Sequence, residues 1–145
     1  MCMKVYRYMR QEELDAFNSN NIMNVGKYYD SVTRNYFANT HRYIEDVKYL
    51  HFFKSKEDVR FVQQMYKNYD TDYYICEFNI PALTAIRYRG KGTYDEGGYD
   101  CDRINVTEFA IPVSEIKAEY MVSRDLDQEH HAYIQSRKGD FKCNN

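Results

Sequence analysis

The segment from Tyr88 to Pro112 constrains the fold more than any other part of this chain. Four of the six glycines lie in it, at positions 90, 92, 97 and 98. Glycine tolerates a positive φ and lets another backbone approach closely, so this density predicts a shaped turn against which another group fits. The residues from Ile104 onward then form an apolar pattern that is typical of a strand. We therefore expect a glycine-rich turn that leads directly into a strand of the core.

One carboxylate, Glu108, lies inside this apolar strand. In an active site, partial desolvation tunes the pKa of such a carboxylate, and the strand aims it at a bound ligand. On the solvent face of a half-buried strand, the same residue would need no function. Periodicity leaves both interpretations open, and Glu108 is the first candidate site residue.

Length and charge limit the class of protein. The chain has 145 residues and a net charge of −2, which predicts one domain, residues 1–145, without a global basic field. Such a balance does not by itself indicate a nucleic-acid partner. Tyrosine is abundant, with 16 residues beside 8 phenylalanines. Its apolar ring and polar tip favour a core continuous with a wet aromatic cleft, although a compositional habit of the source would explain the count equally well.

The cysteines indicate a reducing compartment. Cys2, Cys76, Cys101 and Cys143 show no CxxC or other metal-binding spacing, and the four histidines are scattered, so no structural zinc is expected. The first residues carry charge and form no apolar signal segment, and no apolar run is long enough to cross a bilayer. These features predict free thiols in a cytoplasmic protein with no membrane partner.

Hydrophobic periodicity predicts an α+β fold with a mostly antiparallel sheet and with helices near the N-terminal half. Predicted strands cover residues 4–9, 48–53, 72–80, 84–89, 104–112 and 116–122, and predicted helices cover 11–18 and 55–69. Ser55 is expected to cap the second helix. Residues 26–47 are expected to form an ordered loop. The chain from about residue 126 to 145 is expected to be a poorly packed tail with one weak helical turn.

Two polar residues in predicted strands are further candidates. Arg7 shares a face with Val5 and Met9. There its guanidinium group either reaches solvent at the edge of the sheet or points into a cleft, where it would bind a phosphate or a carboxylate. His51 lies in the middle of the second strand, where it is either a hydrogen-bonded core residue or part of a site.

The order of these segments resembles the layout of the ADP-ribosyltransferase superfamily. VYRYM comes first, KYLHFF follows and precedes a helix, and a glycine- and tyrosine-bearing turn then leads into TEFAIP. The resemblance implies a split sheet. It also implies that an arginine or histidine on the first strand, a serine, tyrosine or histidine on the next core strand, and a glutamate on a later strand surround NAD.

Each role can be carried to a matching position of this chain. The resemblance implies catalytic roles for Arg7, His51 and Glu108, with NAD also touching Tyr8 and Phe52. It places Tyr94, Tyr99 and Arg103 in a loop that recognises the target. Two positions depart from the family. Val106 stands where arginine-directed members carry a second glutamate, which argues against arginine as the acceptor, and the second-strand Ser-Thr-Ser motif is absent, replaced by residues 50–52.

The implied chemistry suits these residue types. Cleavage of the bond to nicotinamide passes through an oxocarbenium-like state, which a carboxylate near the ribose stabilises. An arginine fork suits the diphosphate, and aromatic rings suit the nicotinamide. The acceptor would be a protein or a nucleic acid, in the cytoplasm of a bacterium, of its phage or of a host cell.

Two non-enzymatic interpretations remain open. The Tyr-, Arg- and Gly-rich segment 87–103 would also serve a module that stacks single-stranded RNA or binds a nucleotide or a protein. A fold of the same family that has lost catalysis and kept nucleotide binding is the other possibility. Glu108 separates these interpretations, because a nucleic-acid groove gains nothing from a buried carboxylate.

Overall fold

Strands and helices alternate irregularly along the chain. A computed structural model describes residues 1–19, 27–28, 48–65, 71–95 and 103–143. Its strands are β1 (Cys2–Met9), β2 (Lys27–Tyr28), β3 (Lys48–Phe53), β4 (Tyr74–Pro81), β5 (Arg89–Asp95), β6 (Arg103–Pro112) and β7 (Met121–Leu126). Its α-helices are α1 (Gln11–Asn18), α2 (Lys56–Met65), α3 (Ala82–Arg87) and α4 (Gln128–Cys143). Short 3-10 turns follow β6, at Val113–Glu115 and Ala118–Tyr120.

The strands form an antiparallel sheet in the order β5-β6-β3-β1-β4-β7, with β2 paired to the described part of β3. This confirms the expected α+β class. Strands β1 and β4 pair along their whole length, from Cys2 with Pro81 to Met9 with Tyr74. Strands β1 and β3 pair only through Tyr6 and Phe53. Hydrogen bonds thus join the described strands into one sheet, which is narrow at the junction between β1 and β3.

One face of the sheet, here called face one, packs against α1 and α3. Alternate residues of four strands lie on it and are fully or almost fully buried, among them Val5, Met9, Leu50, Phe52, Phe78 and Phe109. Leu14 and Phe17 of α1 and Ala85 of α3 close this cluster. The rings of Phe52 and Phe78 meet edge-on at 5.0 Å. Burial of each large side chain stabilises the fold by roughly 1.5–3 kcal/mol, so face one is the main core.

The opposite side, here called face two, packs against α2. Phe53, Ile75 and Val106 of the sheet meet Val59 and Val62 of the helix. The amide of Asp58 donates to Ser55 Oγ at 3.1 Å, so the predicted cap of this helix is confirmed.

Two predicted strands are wrong. Residues 82–87 form the helix α3, because Pro81 ends β4 and the short run ALTAIR buries only Ala85 against face one. Ile116 and Lys117 form an extended connection, Ala118–Tyr120 form a 3-10 turn, and the strand starts only at Met121. Ile116 and Ala118 do point into the core, so their alternation reflects burial of an extended connection without ladder pairing.

The prediction of one weak helical turn near the C-terminus is also wrong, because residues 128–143 form the helix α4. The amide of His130 donates to Asp127 Oδ1 at 3.0 Å, which caps this helix. Asp127 and Ile134 are buried, and Tyr73 Oη donates to Asp127 Oδ2 at 2.5 Å. Helices therefore lie in both halves of the chain. Of the helices in the described ranges, none is long and apolar enough to span a bilayer.

Candidate active site

A polar contact on face two joins His51 of β3 to Glu108 of β6. Their strands are neighbours, with Phe53 opposite Glu108 and Ala110 opposite His51. The two side chains therefore lie diagonally on one face, and His51 Nδ1 is 3.1 Å from Glu108 Oε1. The Glu108 side chain is 6 % exposed and that of His51 is 25 % exposed. Glu108 is thus a desolvated carboxylate, and the interpretation of a solvent-facing residue is wrong.

The contact orients the imidazole. An ionised carboxylate can only accept hydrogen bonds, so opposite an ionised Glu108 the donor in this contact would be His51 Nδ1. A partly exposed histidine held this way by a buried carboxylate is suited to accept or return a proton.

Two glycines leave space beside the carboxylate. In the ladder between β5 and β6, Gly90 lies opposite Glu108 and Gly92 lies opposite Val106. Directly paired residues project to the same face, where an ordinary side chain would stand about 5 Å from that of its partner. Glycine has no such side chain. Gly90 is partly exposed and Gly92 is buried, so the space that a missing side chain leaves beside Glu108 lies at Gly90.

The first strand contributes Tyr8 to this face. Tyr6 and Tyr8 pack against the cluster of face two, and the Tyr8 ring meets the Tyr73 ring edge-on at 6.0 Å. Burial raises the pKa of Tyr8, and among smaller effects the negative charge of Glu108 raises it further. The hydroxyl therefore stays protonated near neutral pH. We call Tyr8, His51, Gly90 and Glu108 the site face.

Arg7 does not join the site face, and the expectation that it converges with His51 and Glu108 is wrong. It shares face one with Val5 and Met9, because successive residues of a strand point to opposite sides. Its guanidinium carbon lies 5.9 Å from the centroid of the Phe52 ring. Nη2 pairs with Glu13 at 2.6 Å, and Nη1 donates to the backbone carbonyl of His51 at 3.2 Å. Arg7 therefore reaches the backbone of β3 from behind the site.

Phe52 is likewise on face one, where it is fully buried, so the expected contact with a cofactor is wrong. Tyr8 and His51 were expected to touch the same cofactor, and both lie on face two. For the expected target-recognition residues, the backbones of Tyr94 and Arg103 pair with Ile104 and Asp95 in the ladder between β5 and β6. Their side chains, and all of Tyr99, lie outside the described residues.

Sequence reasoning missed the part played by Gly90. Its place opposite Glu108 follows from antiparallel pairing of β5 with β6, in which the paired numbers sum to 198. The sequence alone does not show which residues of β5 and β6 pair, because the segment between the two strands is too long to fix their register. Val5 and Met9 mark the apolar face of the first strand. Because Arg7 lies on that face and Tyr8 on the other, this pattern could have favoured Tyr8 over Arg7 as a site residue.

Within the described ranges, no group of three or more His, Cys, Asp or Glu side chains could hold a metal ion. Comparison of the chain with models of protein families, with curated proteins and with solved structures gave no match.

Proposed function

We propose that this protein binds NAD and cleaves the bond between nicotinamide and ribose, passing ADP-ribose to an acceptor or to water. The observation that carries the proposal is the contact of the buried Glu108 with His51 beside the open backbone at Gly90. The resemblance of the segment order to ADP-ribosyltransferases supports the choice of substrate. NAD here is consumed as a substrate.

Glu108 would supply the electrostatic stabilisation. As the bond from C1′ of the ribose to nicotinamide breaks, its electron pair leaves on the ring nitrogen and positive charge develops on the sugar. A carboxylate that is 5 % exposed acts on that charge with little screening by water. It would reach the sugar at Gly90, which carries no side chain of its own.

His51 and Tyr8 would serve the other two needs of the reaction. The attacking hydroxyl forms a bond to C1′ and loses its proton, and His51 beside Glu108 is the group proposed to accept it. The half-buried ring of Tyr8 offers an aromatic surface for nicotinamide on the same face. Because Arg7 faces away, this proposal assigns no residue to the diphosphate. Val106, which is buried opposite Gly92, still argues against arginine as the acceptor.

The proposal is tested with Glu108→Gln, which keeps shape and a hydrogen bond and removes the charge. Turnover should fall on the order of 100-fold or more, with dinucleotide affinity nearly unchanged. Nicotinamide release is followed by chromatography, and affinity is followed by calorimetry. Glu77→Gln is the matched control, because Glu77 is another partly buried glutamate on a strand and accepts from Tyr6 Oη at 3.1 Å. Equal turnover in wild type and Glu108→Gln would remove the role assigned to Glu108.

The second candidate is a binding module for RNA, a nucleotide or a protein. Arg89 and Lys91 favour it, because both are exposed on β5, which ends the order of the described strands. In this case NAD would be neither bound nor cleaved. Single-stranded RNA would then bind with an affinity that falls as salt rises and that drops in the double variant Arg89→Ala, Lys91→Ala.

A further inference from the structure

We infer that Arg7 is a positioning residue that fixes the His51–Glu108 pair from the opposite face of the sheet. The sequence assigned Arg7 to the substrate, and its contacts assign it to the backbone of β3. The catalytic consequence rests on the proposed function, whereas the structural consequence for His51 does not.

The place of Arg7 in the sheet carries the inference. Tyr6 and Phe53 form the sole residue pair joining the described strands β1 and β3. Continuing that register would bring Tyr8 opposite His51, but no such pair forms. Arg7 Nη1 instead donates to the carbonyl of His51 at 3.2 Å. A side-chain hydrogen bond thus holds β3 at the residue where backbone pairing with β1 has already ended.

Arg7 is itself held on a second side. Glu13 accepts from Nη2 at 2.6 Å with one carboxylate oxygen, and its other oxygen lies 3.4 Å from the amide of Arg10 at the start of α1. The side chain of Arg7 is 12 % exposed. Helix α1, strand β1 and strand β3 are therefore linked through one guanidinium, and a change at Glu13 should reach His51.

The burial of Arg7 is unfavourable for stability alone. Its Nε is buried and has no hydrogen-bond partner among the described residues. An unsatisfied buried donor destabilises the folded state, and does so more when it belongs to a charged group. An apolar side chain of similar length would avoid this cost against the Phe52 ring. The hydrogen bonds from Nη1 to the His51 carbonyl and from Nη2 to Glu13 therefore explain why an arginine lies here.

The effect on the site follows from the short path between the two contacts. The carbonyl that Arg7 holds and the imidazole that Glu108 holds belong to the same residue, on opposite sides of β3. Without Nη1, the His51 backbone loses that hydrogen bond, and the Nδ1–Oε1 contact of 3.1 Å is held less tightly. Because that contact selects the Nδ1–H form of the ring, its weakening should admit the other tautomer.

The experiment compares wild type with Arg7→Met and Arg7→Lys in the full chain. The tautomers of His51 are read from the ring nitrogens by NMR, which requires no substrate and no activity. Wild type should show the Nδ1–H form, and both variants should show a mixture of tautomers. Methionine makes neither hydrogen bond, and lysine can keep the ion pair with Glu13 but cannot also reach the His51 carbonyl. Arg60→Met is the matched control, since Arg60 is also paired, with Asp127 at 3.4 Å, and does not touch His51.

The kinetic arm uses nicotinamide release from NAD. Arg7→Met should lower kcat roughly 10- to 100-fold with KM little changed, since misplacing a catalytic group by about 1 Å has effects of that size. A residue that grips the diphosphate would instead raise KM. If wild type does not cleave NAD, the proposed function fails and the tautomer measurement still decides the inference.

Unchanged tautomers of His51 in folded Arg7→Met overturn the inference, as does a rise in KM alone. Should Arg7→Met fail to fold, Glu13→Gln replaces it, because that change weakens the anchor of Arg7 and keeps the arginine. Glu13→Gln should produce the same tautomer mixture to a smaller extent, and a wild-type spectrum of His51 in that variant overturns the inference equally.

Discussion

Filling the space at Gly90 should separate stability from function. Gly90 lies opposite Glu108 in the ladder, so Gly90→Val places a branched side chain about 5 Å from the carboxylate. Glycine inside a strand is unfavourable by roughly 0.5–1 kcal/mol relative to alanine, so the variant should match or exceed the unfolding free energy of wild type. A ligand that lies on this backbone meets an overpacked surface, which typically costs 1–3 kcal/mol, or roughly 5- to 150-fold in affinity.

The two effects are measured separately. Urea denaturation gives the unfolding free energy, and calorimetry with NAD gives the affinity. Lys91→Val is the matched control, because Lys91 is the next residue of β5 and projects to the other face. This substitution also introduces valine, which favours strands, and it leaves the site face unchanged. Wild-type affinity and turnover in Gly90→Val would refute the reasoning that the ligand lies beside Glu108.

Three further predictions concern groups away from the site face. Tyr73→Phe removes the donor to the buried carboxylate of Asp127 and should lower the unfolding free energy by about 1.5–3 kcal/mol in urea denaturation. Burial raises the pKa of the Asp127 carboxyl, but the hydrogen bonds from Tyr73 and from the His130 amide, with the Arg60 charge, outweigh it and leave the pKa below its ordinary value. The stability that Asp127 contributes is then complete above a pH of about 4 and is lost below it, so wild type and Asp127→Asn should converge as pH falls; a constant difference from about pH 6 to pH 3 would contradict this. Burial raises the pKa of the Cys76 thiol to about 12, so in native protein an alkylating agent should modify the exposed Cys2 and leave Cys76 untouched until the chain unfolds, as peptide mass spectrometry would show.

The sequence is enough to predict the elements whose period is sustained. The strand of Arg7, the strand of His51, the helix after Ser55 and the strand of Glu108 all form, because apolar side chains recur along them at the period of one exposed or half-buried face. The short helix Ala82–Arg87 has too few residues to show a period. The helix after Asp127 is anchored partly by Tyr73, which lies 54 residues away in the chain, and such a contact leaves no local pattern.

The candidate site was predicted by residue type more accurately than by face. Glu108 and His51 meet because both positions lie on the same face of neighbouring strands, a fact that depends on register. Arg7 was assigned to a cleft because an arginine among apolar residues suggests a ligand. The apolar neighbours Val5 and Met9 instead mark the buried side of β1, where Glu13 and the His51 carbonyl satisfy two of its nitrogens.

The central claim is that NAD binds on the site face. It is tested most directly by titrating isotope-labelled protein with NAD and following the amides of Gly90 and Gly92 with the imidazole of His51 by NMR. The account predicts shift changes at these three residues that saturate with NAD, followed by the signals of free nicotinamide in wild type and not in Glu108→Gln. Absence of any saturable change, or changes confined to residues of face one, would contradict it.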